Sequence, residues 1–404
     1  MPLFYKNPLV SQWAATIYTG GISLGLTFVI ARILGPVGFG SYSYILTIAS
    51  LFLILQDGGY KTLLFREKTL PSEWLRPQED KLFSWALGHT IVISMAGILF
   101  VWAVECKYHQ GIFAALICFG LQAGVNFVSS VLRGRGLFAR EALWQVTVRT
   151  LSAAAILGVL FFTEARPFVI FAGWAVGLLA SLFMSPIKWA RPLFGGFGQR
   201  GVRRACLGFL VIDAATTVYY RSDIILLEHL STGSAVVGQY AAAYRFLDGI
   251  ILFAAPLGLI WFRKLRLVYE DRVHFRSQLK GMILIMGLVA CTLILTGVFF
   301  NHQIVSLTFG QGYHDAAMLL PWLFSALIFV LPNGVLTHSA IAQNMERLYA
   351  IAAGGGAGLN IGLNLILIPG YGALGAAWAT IATEAFLTAI LVIGLKQKLT
   401  GERT

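Results

Sequence analysis

The side chains best placed to do chemistry in this chain are charged groups embedded in long apolar runs. Arg149, Arg221 and Arg245 each lie among hydrophobic residues. A charge at the centre of a membrane helix costs about 2.5–3.5 kcal/mol on insertion scales, so such groups face protein or water rather than lipid. A guanidinium offers planar, paired N–H donors that match phosphate oxygens. Two readings are therefore open for each arginine: a cationic site for a phosphorylated ligand, or an internal ion pair. Arg245 and Asp248 are three residues apart, close enough to pair on one helix face. Arg221 and Asp213 are eight apart on a similar face, which leaves a second pair open.

Glu384 is the most informative acid. It has Thr380 four residues before it and Thr383 beside it, with no basic residue within a helical turn. A buried carboxylate without a cation tends to hold a proton. That suits an ion-coupling group, as it suits a protonated acid bonded to a neighbouring helix, and Asp213 is the second ion-coupling candidate. Asn126, Asn360 and Asn364, with Gln122, can bond sugar hydroxyls or hold helices together. Asp57 and Asp223 read as helix-terminating or capping residues. His89 reads as a packed, hydrogen-bonded residue. Cys106, Cys118, Cys206 and Cys291 form no CxxC or Cys/His cluster, so no metal or disulfide is expected. No GxxxxGK[ST], HExxH or GxSxG occurs, which argues against a P-loop nucleotide site, a zinc hydrolase and a serine hydrolase. No cofactor and no enzyme activity are expected.

The elements that carry these residues follow from composition. Of 404 residues, 57% are hydrophobic and only 12% are charged, whereas a soluble domain carries about 25% charge. Lipid absorbs this much apolar surface, and a soluble core does not. The expected class is an all-α integral membrane protein with about twelve spans, at 11–33, 37–57, 82–104, 112–132, 142–163, 168–187, 205–227, 235–259, 281–300, 316–338, 348–368 and 373–395.

The net charge of +12 does not point to nucleic acid. Lysines and arginines fall in alternate loops, about 24 on one side against 3 on the other, the distribution that sets membrane orientation. The rich side holds Lys61, Arg66, Lys68, Arg76, Lys81, Arg133, Arg135, Arg140, Lys188, Arg191, Arg200, Arg203, Arg204, Arg263, Lys264, Arg266, Arg272, Arg276, Lys280 and Arg347. It also holds Lys6, Lys396, Lys398 and Arg403, so both termini are expected in the cytoplasm.

A duplication is also legible. Phe39-Gly40-Ser41-Tyr42 matches Val237-Gly238-Gln239-Tyr240, and Leu64-Phe65-Arg66-Glu67 matches Trp261-Phe262-Arg263-Lys264. Offsets near half the chain, with an even helix number per half, predict two six-helix lobes related by a pseudo-two-fold along the membrane normal. The predicted division is an N-terminal lobe at 1–190, a cytoplasmic linker at 191–204 and a C-terminal lobe at 205–404. Pro321 and Pro332 are placed to kink the tenth span.

The stretch from Ala31 to Tyr42 (ARILGPVGFGSY) resembles the first inter-helix turn of the polysaccharide and O-antigen flippases of the multidrug/oligosaccharidyl-lipid/polysaccharide exporter superfamily. Asp57-Gly58-Gly59 sits where that family's second helix ends. Arg221 to Leu226, Gly238 to Arg245, and NIGLNLILIPGYGALGAAWATIATE from Asn360 to Glu384 resemble its seventh, eighth and last two helices. Leu227-Glu228-His229-Leu230 departs from the family's usual Leu-Gly.

The resemblance implies two lobes around a central cavity in the bacterial cytoplasmic membrane. It implies ion-gradient-driven alternating access that flips an undecaprenyl-pyrophosphate-linked oligosaccharide. H+ or Na+ would be the coupling ion, and membrane lipids and polysaccharide polymerase machinery would be the partners. A multidrug or cation antiporter on the same fold is the alternative, followed by a membrane glycosyltransferase or polymerase. Intramembrane arginines fit cationic drugs poorly, and the outer loops are short for a transferase.

Overall fold

In the computed structural model, residues 8–69, 72, 73, 75, 80–104, 107–231 and 233–400 are described. Lys6, Arg76, Cys106 and Arg403 lie outside them. Among the described residues every regular element is helical: α1 Pro8–Asp57, α2 Tyr60–Thr69, α3 Leu82–Ala103, α4 His109–Gly134, α5 Phe138–Phe162, α6 Pro167–Phe183, α7 Arg200–Leu230, α8 Ser234–Leu267, α9 Arg272–Thr308, α10 His314–Ser325, α11 Leu327–Ala342 and α12 Glu346–Thr400. Within the described residues, α1, α3, α4, α5, α9 and α12 are long and apolar enough to cross a bilayer, and the bent pair α10–α11 adds a seventh candidate. α9, at 37 residues, is about 55 Å long, well beyond the ~30 Å hydrocarbon layer.

The breaks between spans each have a local reason. The first two predicted spans meet at a kink within α1, at Gly35 (φ 64°, ψ 177°), inside the turn expected between residues 33 and 37. A glycine reaches that positive φ without a Cβ clash, and the following Pro36 disfavours a helical residue before it. The last two spans likewise meet at a kink within α12, at Gly372 (φ 55°, ψ −132°), in the gap expected between residues 368 and 373. The tenth span is two helices bent by 43° at Ala326, between Pro321 and Pro332. The loop after Asp57 holds α2, with Tyr60, Leu63 and Leu64 buried and Arg66 and Lys68 in its last turn.

The chain forms two compact units. The first comprises Met1–Leu34 with Ser41–Thr217, and the second Gly35–Gly40 with Val218–Thr404. The long stretch of the second unit thus begins inside α7, and residues 191–204 fall within the first unit.

In the first unit α5 and α6 approach closely through small residues. A Cβ on Gly177 would stand 2.5 Å from the Ser152 Cα. In lipid, where burial of apolar area gives no drive between helices, such close backbone contact holds them together. Trp102 and Phe161 are 85% and 83% exposed, as expected for side chains facing acyl chains.

The second unit contains the repeated Gly motifs. A Cβ on Gly40 would stand 1.7 Å from the Ser234 carbonyl oxygen, and one on Gly238 would stand 1.9 Å from that of Pro36. The two repeat-related glycines therefore mark backbone packed on backbone. Phe39 is fully buried there, with ring centroids 6.1 Å from Phe309 and 6.2 Å from Tyr313.

Candidate substrate and coupling residues

In the first unit, the acids carried by its helices are already engaged. Glu141 on α5 accepts from Gln12 at 2.7 Å and Gln145 at 3.2 Å, and it lies 3.6 Å from the Arg133 Nε. Asp213 is 3.3 Å from the Lys61 Nζ. Asp57 accepts the backbone N–H groups of Gly59 and Lys61, a terminating role at the end of α1. Arg149, about three turns into α5, is half-buried. Among the described residues its guanidinium makes no ion pair and no hydrogen bond. Asn126 does not accept from it; instead the Asn126 Oδ1 accepts from Gln122 Nε2 at 3.0 Å along α4. His89 is packed as expected, its Nε2 2.9 Å from the Leu55 carbonyl oxygen and its ring stacked on Phe197.

In the second unit, Arg221 of α7 and Arg245 of α8 converge on one carboxylate. Asp248 Oδ2 lies 2.9 Å from Arg245 and 3.9 Å from Arg221. Arg221 thus takes Asp248 rather than Asp213. Two guanidiniums share one negative charge, which leaves a formal excess of one positive charge, with all three side chains partly open to solvent.

Beside this cluster runs a buried polar layer joining α7, α8, α11 and α12. Asp223 is 5% exposed, and its Oδ2 accepts from the Tyr240 hydroxyl at 2.6 Å. It is an interior group on α7 and not a helix end, which corrects the capping assignment. The sequence signal for a cap was a carboxylate near a predicted span end, but α7 continues to Leu230.

Asn360 Oδ1 accepts from Asn364 at 2.9 Å and from Ser222 at 3.4 Å, and Asn360 Nδ2 donates to Thr383 at 3.4 Å. Glu384 Oε2 accepts from Asn333 Nδ2 at 2.8 Å, and Thr388 donates to Asn333 Oδ1 at 2.8 Å. Asn364 Oδ1 is buried without a hydrogen-bond partner among the described residues.

Sequence reasoning passed over Asn333, Thr388 and the Asp223–Tyr240 bond. Asn333 had a visible signal, an amide directly after Pro332 within an apolar run.

Residues 9–262 match the family described as polysaccharide biosynthesis protein. The chain belongs to that family. It is 25% identical to the succinoglycan biosynthesis transport protein ExoT of Rhizobium meliloti, over 72% of this chain and 58% of that protein. The chain thus spans less than two thirds of that relative's length. It is also 25% identical to a probable low-salt glycan biosynthesis flippase of Haloferax volcanii, over 94% of this chain and 81% of that protein.

Among solved structures, the fold is similar to that of the lipid II flippase MurJ in an inward closed conformation. The TM-score is 0.77 at 16% identity, over 97% of this chain and 89% of that one. An inward-facing multidrug resistance transporter of the MATE family gives a TM-score of 0.73 at 11% identity, over 98% and 100%. The fold is therefore that of these transporters, and with its apolar helices the protein is a multi-pass membrane protein.

Proposed function

We propose that this chain flips a polyprenyl-pyrophosphate-linked oligosaccharide across the bacterial cytoplasmic membrane for polysaccharide biosynthesis. It does so by alternating access, with an ion gradient as the drive. The observation that carries this reading is Arg149. It is a half-buried guanidinium in an apolar helix that no carboxylate compensates among the described residues. Keeping an unpaired cation at such a place is costly, and a diphosphate ligand would offset that cost with charge-assisted, bidentate bonds. Within the second unit, Arg221 and Arg245 carry a positive charge of their own, because Asp248 balances only one of them. The family and the named relatives in glycan export support a saccharide cargo.

Glu384 is the proposed coupling group. It is a buried carboxylate in an apolar helix, and its Oε2 accepts from the Asn333 amide at 2.8 Å; an intramembrane carboxylate of this kind is the ordinary carrier of a proton or small cation in an ion-driven transporter. Asp213 suits the role less, since Lys61 compensates it. Asn360 and Asn364 bond each other and helix α7, which favours helix cohesion over sugar contact for that pair. Asn126 keeps the sugar-binding assignment.

The test is translocation of a fluorescent polyprenyl-pyrophosphate oligosaccharide in proteoliposomes. The variant Arg149→Gln, Arg221→Gln, Arg245→Gln should lose it while still inserting and folding. Undiminished flipping by that variant would end the arginine assignment.

A further inference from the structure

We propose that the segment Lys188–Arg204 is a binding surface for the anionic phospholipid headgroups of the leaflet it faces. Between Glu164 and Asp213 the chain carries no acidic residue, yet Lys188, Arg191, Arg200, Arg203 and Arg204 fall within seventeen consecutive positions. All five side chains are exposed, and none makes an ion pair or hydrogen bond among the described residues. Their repulsion is therefore uncompensated within the first unit, to which the whole segment belongs.

The segment is held in place against the helices around it. The Leu193 N–H donates to the Ser84 carbonyl oxygen at 3.0 Å, and the Trp189 indole donates to the Leu182 carbonyl oxygen at 2.9 Å. Phe197 stacks on His89, and a Cβ on Gly196 would strike the Trp85 ring at 2.5 Å. These contacts turn the cations and several apolar side chains outward together. Phe194 is 65% exposed and Leu193 41%.

The choice of lipid over an acidic protein rests on this interleaving and on position. Phe183 ends α6 and Arg200 opens α7; these helices carry the predicted spans 168–187 and 205–227, and with both taken as spanning, the segment between them lies at headgroup depth. Basic clusters beside membrane helices bind anionic headgroups, and apolar side chains among them reach the acyl boundary. None of these residues belongs to the transport set proposed above.

The experiment uses the full chain in nanodiscs of mixed phosphatidylglycerol and phosphatidylcholine, with native mass spectrometry of the retained lipid. The wild type should retain phosphatidylglycerol preferentially, less so as salt rises. Neutralising Arg200, Arg203 and Arg204 to Gln should lower that preference, by about fivefold for each cation that contacts a headgroup. The same three-fold neutralisation at Arg263, Arg272 and Arg276 is the control for bulk charge. Equal losses in both variants, or no loss in the first, would overturn the proposal.

A photo-reactive phenylalanine at Phe194, in an otherwise native chain, gives a second readout that does not depend on charge removal. Phospholipid adducts support the surface. Adducts to protein alone, or none, refute it.

Discussion

Replacing Arg149 should separate transport from stability. Arg149→Gln removes a half-buried guanidinium that has no ion-pair or hydrogen-bond partner among the described residues. No acid is orphaned, so the usual penalty for breaking a buried pair does not arise. The fold should lose no more than about 0.5 kcal/mol, the range of substitutions without a named destabilising mechanism, or gain slightly from relief of desolvation. Transport should fall much further. A hydrogen bond from a charged donor contributes about 1.5–3 kcal/mol, which corresponds to roughly 10- to 150-fold in binding of a phosphorylated head. Arg149→Lys should fall between, since it keeps the charge but lacks the forked donors.

Two measurements on the same preparation decide it: thermal unfolding followed by tryptophan fluorescence, and flipping of the labelled lipid-linked oligosaccharide in proteoliposomes. Equal losses of stability and transport would make Arg149 a structural residue. Unchanged transport would remove it from the site.

Asp248→Asn should do the reverse in part, leaving Arg221 and Arg245 facing each other. We expect a stability loss of about 1–2 kcal/mol, below the value for a fully buried pair because these side chains are partly hydrated, read as a lower unfolding temperature. Glu384→Gln keeps an oxygen for Asn333, so the fold should persist while dependence of flipping on an imposed ion gradient disappears; persistence of that dependence would exclude Glu384. Gly238→Ala places a Cβ 1.9 Å from the Pro36 carbonyl oxygen and should cost at least about 1–3 kcal/mol by overpacking, seen as reduced yield of folded protein. Burial pushes the Glu67 carboxyl up, but bonds from the Ser72 backbone and hydroxyl and from Arg66 outweigh it and hold it below the ordinary carboxylate value. Its contribution is thus fully present above the unfolded-state value and lost as pH falls through the folded one. A stability–pH profile should show Glu67→Gln lacking that acid-side loss.

The membrane class, the glycines at the turns and the arginines among apolar residues were legible because each breaks a strong local pattern. A charge in an apolar run or a Gly-Pro pair between spans is visible without knowing any tertiary contact. The Arg245–Asp248 pair was legible for the same reason, being one helical turn long. What escaped were bonds between helices distant in sequence. Asp223 and Tyr240 face each other across two helices, and helical periodicity does not record that register. The Asn333–Glu384 bond joins α11 to α12 across 51 positions of sequence, a register no local pattern records. The partner of Arg221 was not legible: spacing left a pair with Asp213 open on the same helix, whereas Asp248 sits on the next helix and is brought near only by the fold. The insertion of residues 35–40 into the second unit depends on backbone contacts at Gly40 and Gly238, whose kinship was visible as a repeat while their contact was not.

The most direct measurement compares two cargoes in the same proteoliposomes, a polyprenyl-pyrophosphate oligosaccharide and the same glycan on an uncharged polyprenyl chain. The guanidinium assignment predicts that wild-type protein flips the first far faster and that Arg149→Gln erases most of the difference. Equal rates for both lipids in the wild type would contradict it.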